Sequence, residues 1–228
     1  MTVIGAPAAS MQDGKKRLER RLVKVGSRLS AAQVDQLVDY LVLLDRWNRR
    51  MNLTAFDDPD SAVDRLIIEP VLAASCIDAT ATTLVDIGSG GGSPSIPLKI
   101  CRPDLALTMV EVKTRKSVFL REVVRHLALD RCVVETGRFE QVLARPGFVG
   151  AIDVVSIRAV RVELEQLKLF GQALKGGGQQ LWFLSGSQPD PVLPPPLVVD
   201  RVVPLVSALQ SRLLVVRKVA HDVPRGTS

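Results

Sequence analysis

The chain has 228 residues, 46% of them apolar, with 30 lysines and arginines against 24 aspartates and glutamates. That length closes a hydrophobic core without disulfides, and the apolar share excludes a wholly disordered protein. The net charge of +6 admits a polyanionic partner without requiring one.

Residues 1–11 show no periodicity and read as a mobile tail. From Lys15 the chain turns basic, with Lys16, Arg17, Arg20, Arg21, Lys24 and Arg28, while Leu18, Leu22, Val25 and Leu29 fall at helical spacing. This predicts a helix with one apolar stripe and a basic outer face. Ser30-Ala31-Ala32-Gln33 has the form of a capping box. It opens a second helix with Val34, Leu37, Val38, Leu41, Leu44 and Trp47 on one side. Asp57-Asp58-Pro59 predicts a turn, and a third helix runs over residues 61–77.

From Leu84 short β-rich runs alternate with amphipathic stretches. Strands are predicted at 84–87, 105–110, 132–135, 153–157 and 180–184, with helices at 94–101, 113–127 and 162–174. The prolines at 189, 191 and 194–196 forbid a central strand and mark a surface linker. Two last runs, 197–205 and 212–219, close the sheet as an antiparallel pair. The expected fold is α/β, a mostly parallel doubly wound sheet with an antiparallel final pair and an N-terminal helical layer. Residues 1–80 then form a tail and helical extension, and residues 81–228 the ligand-binding domain.

Three widely spaced cysteines, Cys76, Cys101 and Cys132, form no CxxC pair, and the two histidines are His126 and His221. No metal is expected from such spacing, and the cysteines read as buried free thiols in a reducing compartment. No apolar run approaches the roughly 20 residues that span a bilayer. Residues 1–10 lack the basic start and apolar block of a signal peptide, so a cytoplasmic protein away from membranes is expected.

The most informative stretch is Asp86-Ile87-Gly88-Ser89-Gly90-Gly91-Gly92-Ser93-Pro94, after a predicted strand and before a predicted helix. Glycines there let the backbone turn sharply and approach a ligand closely, at the C-terminal edge where α/β sheets bind ligands. Two ligands compete. A dinucleotide fingerprint is partly matched by Gly88, Gly90 and Ser93, with its third glycine absent. An S-adenosylmethionine loop has an acid two residues before the first glycine, as Asp86 is here. A carboxylate at Asp86 suits a cationic ligand and repels a pyrophosphate. Glu111, ending the second strand, suits a ribose diol under either reading. A third possibility is a tight turn without a ligand.

Several motifs in order resemble the RsmG (GidB) methyltransferases, a family that methylates N7 of a guanine in bacterial 16S rRNA. They are Trp47-Asn48 through Asn52-Leu53-Thr54, the glycine loop 85–98, the run 111–120, Gly137-Arg138-Phe139-Glu140, and the strand 153–159 ending in Arg158-Ala159. The resemblance covers residues 37–219. It implies a Rossmann-like class I methyltransferase fold with S-adenosyl-L-methionine as cofactor, and 16S rRNA or the small ribosomal subunit as partner. It places Gly88, Gly90 and Ser93 in the cofactor loop, Glu111 at the ribose, and Phe139 and Glu140 beside the adenine. Arg158 falls at the shared cofactor and substrate pocket, where we expect it to be the catalytic residue. The chain departs from the family pattern at Ser93, where an aromatic is usual. It departs again at Arg65-Leu66-Ile67-Ile68-Glu69-Pro70, which stands for a basic-His-Phe-x-Asp-Ser element, and at Ile157, where a serine is usual.

Methylation of guanine N7 needs no general base, because N7 carries a free in-plane lone pair. The absence of a well-placed histidine is compatible with that reaction and argues against hydrolytic nucleophilic catalysis. Arg158 has two readings: stacking on or hydrogen-bonding the guanine, or an ion pair with Glu140 or Asp153. Trp47 fits core packing. Asn48 and Asn52, four apart, read as sharing a helix face, holding a turn or presenting amides to RNA. Lys113, Arg115 and Lys116, with Arg49, Arg50, Arg161 and the basic helix, fit a phosphate track. A monomer is expected. The rival functions are a methyltransferase of the same fold with another substrate, a decayed cofactor- or RNA-binding relative, and a nicotinamide-dependent oxidoreductase.

Overall fold

The structure, a computed structural model, describes residues 8–51, 53, 58–186 and 188–220, with side chains described from residue 14 onward except that of Pro59. The first helix, α1, runs Ala8–Lys24. It starts before the expected Lys15 and stops before the expected Leu29. Gly26 takes a left-handed φ of 67°, and Ser27 N–H closes back on Leu22 C=O, which ends the helix. Leu18 and Leu22 are buried beneath it.

Helix α2, Ala31–Asn48, opens on the expected capping box. Ser30 Oγ accepts from Gln33 N–H, and Gln33 Oε1 accepts from Ser30 N–H. It stops at Asn48; Asn52, expected to share its helix face, lies outside the described residues, as does Asp57.

The third helical stretch is three segments. Helix α3 spans Pro59–Val63, one π turn spans Asp64–Ile68, and helix α4 spans Glu69–Ala74. Pro70 explains the widening. It has no amide proton to give, and its ring crowds the carbonyl one turn back. Glu69 N–H reaches Asp64 C=O instead, five residues away.

The sheet has seven strands: β1 Thr83–Ile87, β2 Ala106–Glu111, β3 Cys132–Thr136, β4 Ile152–Arg158, β5 Leu174–Ser185, β6 Leu197–Pro204 and β7 Ser211–Lys218. Their order is β3-β2-β1-β4-β5-β7-β6. Pairing is parallel from β3 to β5, and β7 is antiparallel to both β5 and β6, as expected of the last pair. Helices α5 (Ser95–Cys101), α6 (Thr114–His126), α7 (Phe139–Leu143) and α8 (Leu164–Ala173) fill the crossovers. Helix α7 was not expected; five residues carry too little periodicity to show. Strand β5 starts six residues early, because Leu174 pairs with Ile152 across a glycine-rich irregularity that sequence pattern reads as a break.

Alternate strand residues point into two cores. Leu84, Met109, Val154 and Leu181 meet α1, α2, α5 and α6 on one face. Val85, Ile87, Val155 and Trp182 meet α7 and α8 on the other. The strand order reverses between β1 and β4, so their C-terminal ends open into a crevice.

The opposite end of β4 is tied by Asp153. Its Oδ2 accepts from the N–H and hydroxyl of both Thr82 and Thr83, and its Oδ1 pairs with Lys175 Nζ at 2.7 Å. Burial pushes this carboxyl up, but Lys175 and the threonine donors outweigh it and hold it at about 2. The depressed value means stability present above the unfolded pKa, near 4, and lost as pH falls toward 2. Asp153→Asn is therefore expected to lose about 1–2 kcal/mol at pH 7, after discounting for solvent screening. Urea melts should show the difference from wild type shrinking between pH 4 and 2; a gap independent of pH overturns this assignment.

Candidate functional site

The loop after β1 is held from three sides. Gly88 and Ser89 both donate their N–H to Val110 C=O. Tyr40, fully buried on α2, donates its hydroxyl to Gly91 C=O at 2.6 Å. The Glu111 carboxylate accepts from Gly90 N–H through Oε2 and from Lys113 N–H through Oε1, both at 2.8 Å. Gly88, Gly90 and Gly92 have φ of +68°, +53° and +88°. Tyr40 escaped the sequence reading; its only signal was a hydroxyl among the apolar residues of α2.

A cavity of about 340 Å³ opens against this loop. Gly88, Gly90, Ser93, Lys116, Arg158 and Ala159 line it, with Glu69 and Phe183 opposite. Of the residues expected at the site, the structure thus brings together Gly88, Gly90, Ser93, Lys116 and Arg158, with Glu111 directly behind Gly90. Lys113 and Arg115 are exposed at the start of α6, beside the cavity wall that Lys116 forms. Asn48 turns inward: its Oδ1 accepts from Leu53 N–H at 2.8 Å, holding the turn after α2.

Three expected residues do not line this cavity. Asp86 is 1% exposed and does not reach the cavity. It shares Leu84's side of β1, which α5 covers, so strand alternation turns it inward. Its Oδ1 accepts from Ser156 Oγ at 2.6 Å, while its buried Oδ2 has no hydrogen-bond partner among the described residues. Burial pushes its pKa up. Phe139 meets Phe170 with ring centroids 5.5 Å apart and planes tilted by 49°, and Glu140 accepts from Gln166 Nε2. Both belong to the contact between α7 and α8.

Arg158 is the centre of the cavity floor. Its side chain is 12% exposed. Its Nη2 donates to Glu69 Oε2 at 2.7 Å. Its Nη1 donates to Ser93 Oγ and to the carbonyl of Arg65, and its guanidinium lies 4.3 Å over the Phe183 ring. The ion-pair partner is therefore Glu69, not Glu140 or Asp153; Asp153 is taken by Lys175. Burial pushes Glu69 up and Arg158 down, and each opposes the shift of the other.

Pro70 builds this floor. Without its amide proton, the preceding turn lacks one of the donors its carbonyls would take in a regular helix. Arg65 C=O accepts from Arg158, and Leu66 C=O accepts from Ser93 Oγ at 2.9 Å. The departures from the family pattern at Ser93, Glu69 and Pro70 are thus one connected unit around Arg158. In sequence they look like separate losses. Immediately after Arg158, Ala159 adopts φ of +53°, a strained value for a residue with a side chain.

Among the described residues no cluster of three or more His, Cys, Asp and Glu side chains is placed to hold a metal ion, and no helix is long and apolar enough to cross a membrane. The cysteines are free thiols; burial pushes Cys101 up to about 12 and Cys132 to about 11, which makes them poor nucleophiles.

Comparison with known proteins agrees with this geometry. Residues 33–191 match the family model described as rRNA small subunit methyltransferase G. A protein of Neisseria meningitidis serogroup C named ribosomal RNA small subunit methyltransferase G is 36% identical over 164 residues, 72% of this chain and 76% of that one. A protein of the same name from Burkholderia thailandensis is 34% identical over 190 residues, 81% of this chain and 80% of its own. Among solved structures, a putative O-methyltransferase from Klebsiella pneumoniae has a TM-score of 0.57 at 18% identity, over 78% of this chain and 90% of that one. An S-adenosylmethionine-dependent methyltransferase from Aquifex aeolicus has 0.55 at 16%, over 74% and 97%. Both show a shared fold.

Proposed function

The chain belongs to the rRNA small subunit methyltransferase G family, and from that premise we propose that it transfers a methyl group from S-adenosyl-L-methionine to N7 of a guanine in bacterial 16S rRNA. The observation that carries this reading is the cavity that joins the glycine loop to Arg158 and Lys116 at the reversal of strand order. Residues 81–228 supply that cavity's sheet, and the extension 1–80 supplies Tyr40, Leu53 and the π turn around it.

The residues present fit the cofactor. The cavity has the size of a small-molecule site. Each Glu111 oxygen already takes one backbone N–H, and a carboxylate oxygen has a second lone pair for a ribose hydroxyl. Within 4 Å, the space above Gly90 holds only Gly88 C=O and the tip of Lys116. When bound, the cofactor supplies an electrophilic methyl on a sulfonium.

What remains for the protein is placement. N7 attacks with its own lone pair and surrenders no proton, so holding it in line supplies the rate. Three of the five guanidinium N–H groups of Arg158 are committed within the protein, leaving two for a substrate oxygen. Lys116 adds a positive charge at the mouth, and the guanidinium plane of Arg158, seated over the buried Phe183 ring, is the flat surface the floor offers to an unstacked base.

Calorimetric titration should show selective binding of S-adenosylmethionine and S-adenosylhomocysteine over NAD. Incubation with unmodified 16S rRNA should then yield N7-methylguanine by mass spectrometry of the digest. Binding of NAD alone, or methyl transfer to another atom, overturns the reading.

A further inference from the structure

The reaction as proposed uses one face of the molecule, yet the strongest concentration of positive charge lies on another. Helix α1 and the turn after it carry Lys15, Lys16, Arg17, Arg20, Arg21, Lys24 and Arg28, against Glu19 as the one acid of that run. These cations divide into two sets. The inner set is paired: Lys15 with Asp35, Arg17 with Asp60 at 3.2 Å, and Arg21 with Asp64 at 2.7 Å and Asp60 at 3.5 Å. The outer set, Lys16, Arg20, Lys24 and Arg28, is exposed and has no ion pair among the described residues.

The outer set is ordered. Lys16, Arg20 and Lys24 recur every four residues and so form one ridge, with cations roughly 6 Å apart along the axis. Beside the ridge runs an open groove of about 240 Å³ lined by Arg17, Arg20, Arg21, Lys24 and Asp60. Four cations face one carboxylate there, and that carboxylate is already shared by Arg17 and Arg21. Such a groove is short of negative charge. The paired set also fixes where the ridge sits. Asp64 is the first residue of the π turn, and the next two residues, Arg65 and Leu66, line the catalytic cavity. The helix is therefore braced against the outside of the cavity wall.

We propose that the α1 ridge and its groove are a second rRNA-docking surface, which takes backbone phosphates of the substrate outside the cavity. The inference rests on the rRNA reading above, because charge complementarity identifies a polyanion and that reading identifies which. The ridge supplies point contacts to phosphates and no base-edge recognition, so it adds affinity and orientation and leaves the choice of guanine to the cavity.

The test is the full-length triple variant Lys16→Gln, Arg20→Gln, Lys24→Gln, which leaves every ion pair of the inner set in place. Binding to naked 16S rRNA is measured across salt concentrations, with S-adenosylmethionine affinity and the melting curve as controls. The variant is expected to bind rRNA roughly tenfold to a hundredfold more weakly near physiological salt, with the log–log salt slope reduced by about two to three. Its cofactor affinity and melting temperature should match wild type. Equal rRNA affinity and slope in the two proteins overturn the docking surface while leaving the enzyme reading intact. A wild-type protein that neither binds nor methylates the rRNA overturns the reading beneath it.

Discussion

Replacing Arg158 by Met is expected to abolish methylation and to lower the melting temperature by roughly 10 °C. The second effect follows from burial. The Arg158 and Glu69 side chains are 12% and 5% exposed, so removing the cation leaves Glu69 as an uncompensated buried charge. Breaking a buried pair from one side costs about 3–5 kcal/mol, which in a chain of this size corresponds to several degrees per kcal/mol. The carbonyl of Arg65 and the Phe183 ring lose their partner as well. The double variant Arg158→Met, Glu69→Met separates folding from chemistry. With both charges gone, apolar side chains fill the same space and the melting temperature should return to within a few degrees of wild type. Methylation should stay absent, because the two free guanidinium donors are gone. Thermal melts and the yield of N7-methylguanine from 16S rRNA read the two effects. Activity in the refolded double variant would reduce Arg158 to a structural role.

The glycine loop yields the second large effect, and two neighbouring glycines are expected to fail differently. At Gly90 a methyl group would meet only Gly88 C=O at 3.6 Å and Lys116 Nζ at 3.9 Å. Gly90→Ala therefore folds, bearing about 1–2 kcal/mol of left-handed strain at its φ of +53°. Its methyl projects into the cavity and shifts the N–H that Glu111 holds. Loss of S-adenosylmethionine affinity by at least about tenfold is expected, which is about 1.4 kcal/mol. At Gly92 the same methyl would stand 2.9 Å from Ile96 Cγ1, 3.3 Å from Leu120 Cδ2 and 3.4 Å from the Tyr40 ring. Gly92→Ala should cost about 2–5 kcal/mol of stability from overpacking plus strain, wherever the cofactor sits. Calorimetry and melting curves run on both proteins decide it. Wild-type cofactor affinity in Gly90→Ala would remove the loop from the binding site.

Local pattern determined much of this protein. The capping box at Ser30 and Gln33, the alternation of strands and helices after Leu84, and the glycines between β1 and α5 each rest on neighbours a few residues apart. Their spacing alone reports them. The ordered motifs that resemble the methyltransferase family are local in the same sense. Only the tertiary structure decided which side chains reach the cavity. Asp86 reads as a ligand acid by its place before the loop, but the sheet turns it under α5 against Ser156, 70 residues away. Arg158 has Asp153 near it in sequence, yet its partner is Glu69, 89 residues away at the start of α4. Phe139 and Glu140 fit an adenine-flanking motif, and only the structure shows the partners they take within the protein, Phe170 and Gln166 of α8. Periodicity carries information about which face a residue takes within its own element. Ion pairs, freed carbonyls and cavity walls depend on which elements meet, and chain closure over many tens of residues decides that. Pro70 shows the difference: its missing amide proton is written in the sequence, but the use Arg158 and Ser93 make of the carbonyls in the preceding turn exists only once β4 and the glycine loop close over them.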